Sequence, residues 1–155
     1  MVTMDEVRAA VDKAKEIMAD CGIKVEVTAD QLWDWFQTDL PVPDVELGEV
    51  VIDPLTVIHE LVEIDEILKM GLAITKDVII KNPEKVDDAH LRAAKVELEV
   101  AKAIRAVDHM RERILSIEGW CVDKTLSEDR KAEYRRLLAK TKADIAELTG
   151  PLAGR

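Results

Sequence analysis

His59 and Glu63 stand four residues apart in a stretch that reads, from Asp53, DPLTVIHELVEIDEILKMG. On a helix that spacing turns both side chains to one side, with their Cβ atoms about 6 Å apart. Glu60 directly follows the histidine, and Glu66 lies three residues beyond Glu63. A second set comes later: Asp87 and His90 are three residues apart, and Glu97 is two turns past His90. His59, Glu63, His90 and Glu97 make a donor set of two imidazoles and two carboxylates. Such a set suits Zn²⁺, Mn²⁺ or Fe²⁺, or the harder Mg²⁺, as in metal sites built inside helical bundles. A water on the ion would be activated for hydrolysis, with Glu60 or Glu66 as the candidate catalytic base. The structural alternative is a helix-margin histidine bonded to a glutamate one turn away.

The stretch that must position the first set carries its own helix signals. Asp53 is a good N-cap, Pro54 fits the first helical position, and Gly71 is a left-handed stop. Leu55, Val57, Ile58, Leu61, Val62, Ile64 and Leu68 fall on one broad apolar face. His59, Glu63 and Glu66 lie at its margin, and Asp65 lies within it. The second set belongs to a helix expected over Pro83–Ile117, started by Asn82-Pro83 and ended by Gly119. Its stripe is rich in small residues, Ala89, Ala93, Val96, Val100, Ala103, Ile104, Val107 and Ile114, which admit a close neighbour. If the two helices pack antiparallel, the two sets converge. Arg111 projects into the same stripe. An ion pair of Asp65 with Arg111, with Asp108 as a third member, or a polar patch at an oligomer interface, would account for both.

Thr3 and Glu6 form a capping box for a helix to about Asp20, stopped by Cys21-Gly22. Ile23, Val25 and Val27 alternate like a short strand. Thr28 and Gln31 cap a short helix to Thr38 that carries Leu32, Trp33, Trp35 and Phe36, a core plug or an interface anchor. Leu40–Asp44 is an extended, proline-punctuated loop. Glu46–Ile52 reads as a second strand able to pair with the first. Ala73–Ile80 reads as a short helix started by Thr75. Thr125 or Ser127 caps a last, mostly charged helix to about Leu148, with Tyr134, Leu137, Leu138, Ile145 and Leu148 as its stripe. Residues 151–155 read as a frayed tail.

The 155 residues suit one domain over 1–150, and 48% hydrophobic with 35% charged residues marks a globular chain. The net charge is −10, which argues against binding a nucleic-acid backbone. The acid excess lies before Trp120, and from there on bases outnumber acids eight to six. That tail could dock on an acidic surface such as a second copy. No apolar run approaches a membrane span, and the N-terminus is too acidic for a signal peptide, so a cytoplasmic location is expected. Cys21 and Cys121 form no CxxC motif. Two serines, Ser116 and Ser127, lie outside GxSxG or SxxK contexts, which argues against serine-hydrolase chemistry. No P-loop or GxGxxG occurs. One Asn and two Gln among many Glu, Lys, Val and Ile suggest a thermophilic source.

Three patterns bear comparison. His59-Glu60-Leu61-Val62-Glu63 resembles a zincin HExxH, with Glu63 in place of the second histidine. The octet IHELVEID, Ile58 to Asp65, resembles the metal-binding helix of HD-domain phosphohydrolases, with Glu60 in place of the aspartate. That resemblance implies nucleotide or phosphoester hydrolysis. It also requires an upstream histidine, which the chain lacks, and a late aspartate, for which Asp108 is the candidate. Glu60-Leu61-Val62-Glu63 is similar to the ExxE of all-α nucleotide pyrophosphatases, while Glu97 and Glu99 supply no ExxD partner.

The sequence therefore points to a mainly α protein. About four main helices form a bundle, with a small two-stranded ribbon or extended arm near residues 23–52. It is expected to bind a divalent metal, with hydrolysis of a small phosphorylated or nucleotide substrate as the candidate reaction. The competing reading is a non-catalytic scaffold that self-associates through the long helix, the Trp-rich segment or the last helix.

Overall fold

The computed structural model describes residues 2–37, 46–75 and 77–150. Eight helices make up the regular structure of these residues: α1 (Met4–Asp20), α2 (Ala29–Gln37), α3 (Leu47–Val50), α4 (Pro54–Lys69), α5 (Val78–Lys81), α6 (Pro83–Ala103), α7 (Val107–Cys121) and α8 (Glu128–Thr149). None is long and apolar enough to cross a membrane. The chain divides into two compact units, residues 1–97 and 98–155.

In the first unit α1, α2 and α3 each pack on α4. The termini form as local chemistry dictates. Thr3 Oγ1 accepts from Glu6 N–H, and Glu6 Oε2 accepts from Thr3 N–H. Thr28 and Gln31 repeat the device at α2. Asp53 caps α4 through the Leu55 N–H at 3.1 Å, and its other oxygen takes the Thr56 hydroxyl at 2.8 Å. The exit of α4 uses Gly71 at φ 80°, where Leu72 N–H reaches back to Ile67 O. A side chain at that φ would be strained, and glycine removes the cost.

The core of this unit is Val7, Val11, Ala14 and Met18 of α1, Leu32 and Trp35 of α2, and Leu55, Val57, Ile58, Leu61, Ile64 and Ile67 of α4. Ile67, rather than the expected Leu68, completes the α4 face. Each fully buried aliphatic side chain contributes about 1.5–3 kcal/mol by leaving water. Such a ring of contacts can afford three polar residues buried on the same helix: His59, Glu63 and Asp65.

The two-stranded ribbon is not formed, and the described residues contain no strand. Residues 23–28 carry no regular secondary structure, and Leu47–Val50, within the expected second strand Glu46–Ile52, is the single turn α3. Two isolated strands are marginal in water, and the Glu46–Glu49 contact instead favours a helical turn. The segment is tied to α4 by Asp65, whose Oδ1 accepts from the Glu26 N–H at 3.4 Å. The expected helix over Ala73–Ile80 shrinks to α5, entered by a turn in which Val78 N–H bonds Thr75 O. The loop expected at Leu40–Asp44, the last residue of the Trp-rich helix and the tail from 151 lie outside the described residues.

The long helix is also corrected. It ends at Ala103 and a new helix starts at Val107. Arg105 takes φ 58°, while Ala106 N–H bonds Ala101 O and Arg105 N–H bonds Lys102 O. These are the bonds of a left-handed helix stop, made here without glycine. Ile104, expected in the core stripe, is consequently exposed.

In the second unit α7 and α8 form the most extensive helix pair. Met110, Ile117, Tyr134 and Leu137 are buried there, and the Trp120 and Tyr134 rings lie 5.2 Å apart. Ser127 caps α8 through the Arg130 N–H. Thr141 is buried because its hydroxyl donates to Leu137 O at 2.8 Å. Lys102 bridges to Asp144 and Glu147.

Candidate metal centre

The four residues expected as ligands lie on α4 and on the part of α6 that belongs to the first unit. His59 Nδ1 is 2.7 Å from Glu97 Oε1, and its Nε2 is 3.4 Å from Glu63 Oε2. The His90 ring meets the His59 ring edge-on, with centroids 5.1 Å apart. His90 also acts electrostatically on Glu63. Moving up α4 from His59 to Glu63 thus corresponds to moving down α6 from Glu97 to His90, the order of an antiparallel pair. Ala89, Ala93 and Val96 of α6 are buried as well.

The two catalytic candidates separate. Glu60, half-buried, joins His59 and Glu63: one ligand atom from each of the three lies within 4.8 Å of the others. Glu66 is half-buried one turn beyond Glu63 and is not part of that group. Among the described residues this is the one cluster of three His, Cys, Asp or Glu side chains with ligand spacing.

Burial governs the electrostatics. His59 is 4% exposed, Glu63 9% and Glu97 0%. Loss of water is the largest single effect on His59 and by itself would lower its pKa. The hydrogen bonds and charges of Glu63 and Glu97 together outweigh it and raise the value from 6.5 to about 10. Glu63 shows the converse. Burial pushes its carboxyl up, but the bond to His59 and the charges of His59 and His90 bring it below the ordinary value. Without a metal, the ring is therefore an imidazolium held between two carboxylates.

Asp65 and Arg111, expected as an ion pair, each have a partner on their own helix. Asp65 pairs with Lys69, one turn on, at 2.7 Å, and also holds Glu26 N–H. Lys69 keeps its charged end 62% exposed, so Asp65 is neutralised from the rim and not across the core. Arg111 is exposed and pairs with Asp108, three residues earlier, at 3.4 Å. Reading Asp65 as apolar-facing was right. Its partner was missed because a lysine stem can lie along the helix and reach back four residues. Cys121 is buried, and burial raises its thiol pKa, so it is an unreactive core residue.

Compared with protein-family models, with curated proteins and with solved structures, the chain matches none.

Proposed function

We propose that this is a divalent-metal-binding helical protein whose ion sits on His59 Nε2, Glu63 and Glu60, with His90 beside it. The observation that carries the reading is the asymmetry of the two contacts of His59. The Nδ1 contact, 2.7 Å, has the length of a charge-assisted hydrogen bond. The Nε2 contact with Glu63, 3.4 Å, is longer than that. It is close to the separation of about 3.3 Å that two ligand atoms adopt around a tetrahedral ion with bonds of about 2.0–2.1 Å.

One imidazole nitrogen and two carboxylates, with a second imidazole nearby, form a set of borderline hardness. That favours zinc, manganese or iron over magnesium. Three protein ligands leave a position for water, and an ion there would supply a Lewis acid and an activated water. Glu60 then serves as a ligand and Glu66 is the remaining carboxylate for proton transfer. Hydrolysis of a small phosphorylated or nucleotide substrate is the reaction class that this chemistry and the IHELVEID resemblance jointly support. The competing scaffold reading keeps the same cluster as a buried ion triad.

Calorimetric titration of chelator-treated, tag-free protein with zinc or manganese separates the two. The metal reading expects one ion per chain, with binding lost in His59→Ala and in Glu63→Ala. A protein that takes up no ion, and whose melting temperature neither metal moves, is a scaffold with a structural triad.

A further inference from the structure

We infer that Glu97 is a positioning residue and not a ligand: its carboxylate holds the Nδ1–H of His59 and so commits Nε2 to the ion. This rests on the metal-binding reading above. Glu97 is fully buried on α6, among residues as apolar as Ala94, Val96 and Ala101. A carboxylate in such surroundings is costly unless its charge is matched, and it lies 2.7 Å from the ring of His59.

Protons settle the roles. An ionised carboxylate only accepts, so the 2.7 Å bond to Glu97 places the ring proton on Nδ1. A neutral, ion-binding imidazole has one N–H, which leaves the lone pair on Nε2. That nitrogen is the one that faces Glu63. The two ring nitrogens point away from each other, so a group bonded to one cannot ligate an ion held by the other. Sharing an ion on the Nδ1 side would require a wider gap, since 2.7 Å is well below the spacing of about 3.3 Å between neighbouring ligands. Carboxylates bonded to metal-bound histidines in this way fix the tautomer and ring orientation, and their loss weakens metal binding about 10–100-fold.

The test uses the full-length protein and zinc. Affinity is measured by competition with a chromophoric chelator for wild type, Glu97→Gln and Glu97→Leu. Nitrogen NMR of the zinc-loaded wild type reads which ring nitrogen of His59 carries the proton. We expect the proton on Nδ1. Glu97→Gln, which keeps an oxygen acceptor but loses the charge, should bind zinc about 10–100-fold more weakly. Glu97→Leu should bind more weakly still and lose the single tautomer. Unchanged affinity in Glu97→Gln overturns the inference, as does a proton on Nε2 in the wild type, a readout that needs no variant to fold. Loss of one coordinated oxygen from the zinc absorption spectrum of Glu97→Gln would make Glu97 a ligand and also overturn it. A wild type that binds no zinc fails earlier, at the metal reading itself.

Discussion

Raising the pH of the metal-free protein should unfasten the His59 triad. The ring's pKa is about 10 folded and 6.5 unfolded. A raised pKa stabilises the fold fully below the unfolded value, and that stabilisation is lost as pH climbs through the folded one. Glu63 moves the other way: its lowered pKa contributes above the ordinary carboxylate value and is lost as acid protonates it. The triad is therefore most stabilising from about pH 5 to 6.5. Above that range each pH unit removes close to one proton's worth of linkage, about 1.4 kcal/mol. From pH 7 to pH 9 the loss is about 2–3 kcal/mol. It would be measured by urea denaturation in the presence of a chelator at both pH values. Other groups also titrate in this window, so the comparison is with the triple variant His59→Leu, Glu63→Leu, Glu97→Leu, which replaces the whole triad by apolar volume. The triple variant should lose about 2–3 kcal/mol less over the same interval. Equal losses in the two proteins, or a His59 ring that titrates near 6.5 by NMR, would refute the imidazolium assignment.

Three further perturbations test the surrounding fold. Asp65→Ala removes the acceptor of Glu26 N–H and the partner of Lys69. It should cost about 1–3 kcal/mol in urea denaturation and speed amide exchange at residues 23–28; unchanged exchange there would detach the segment from Asp65. Arg105→Gly relieves the positive φ between α6 and α7. The relief of about 1–2 kcal/mol of left-handed strain, less about 0.4–1 kcal/mol for the freer unfolded chain, should raise stability by about 0.5–1 kcal/mol, whereas a clear fall in melting temperature would mean that the Arg105 bond to Leu148 O outweighs the strain. Ser127→Ala removes the cap on Arg130 N–H. It should cost about 1 kcal/mol and expose the first amides of α8 to exchange, which unprotected wild-type amides at the same positions would contradict.

Where the sequence was informative, the signal was local and chemical. The capping boxes at Thr3 and Thr28, the Asp53-Pro54 start and the Gly71 stop each rest on side chains within a few residues, and each appears where its spacing put it. The meeting of His59 with Glu97 and His90 was legible only conditionally. Periodicity placed both sets on helix margins, but it says nothing about which helices face each other.

Two of the errors arose where the deciding feature was distant or carried no residue signature. The break at Ile104–Ala106 is made by Arg105 in a conformation usually given to glycine, and nothing in the run AIRAVDH announces it. Alternation over Ile23–Val27 suggested a strand, and none forms there. The segment's partner is a carboxylate 39 residues away, not a strand. Glu97 was expected beside His59, and it lies there, but its position on the Nδ1 side of the ring needs three-dimensional geometry.

On the proposed reading, His59 Nε2 and Glu63 hold a divalent ion. Anomalous diffraction from crystals grown with zinc would locate it. One strong peak is expected, bonded to His59 Nε2 and a Glu63 oxygen, about 2.0–2.2 Å from each, with Glu97 still bonded to Nδ1. A peak on the Nδ1 side, or none at this cluster while the protein is crystallised in excess zinc, would contradict it.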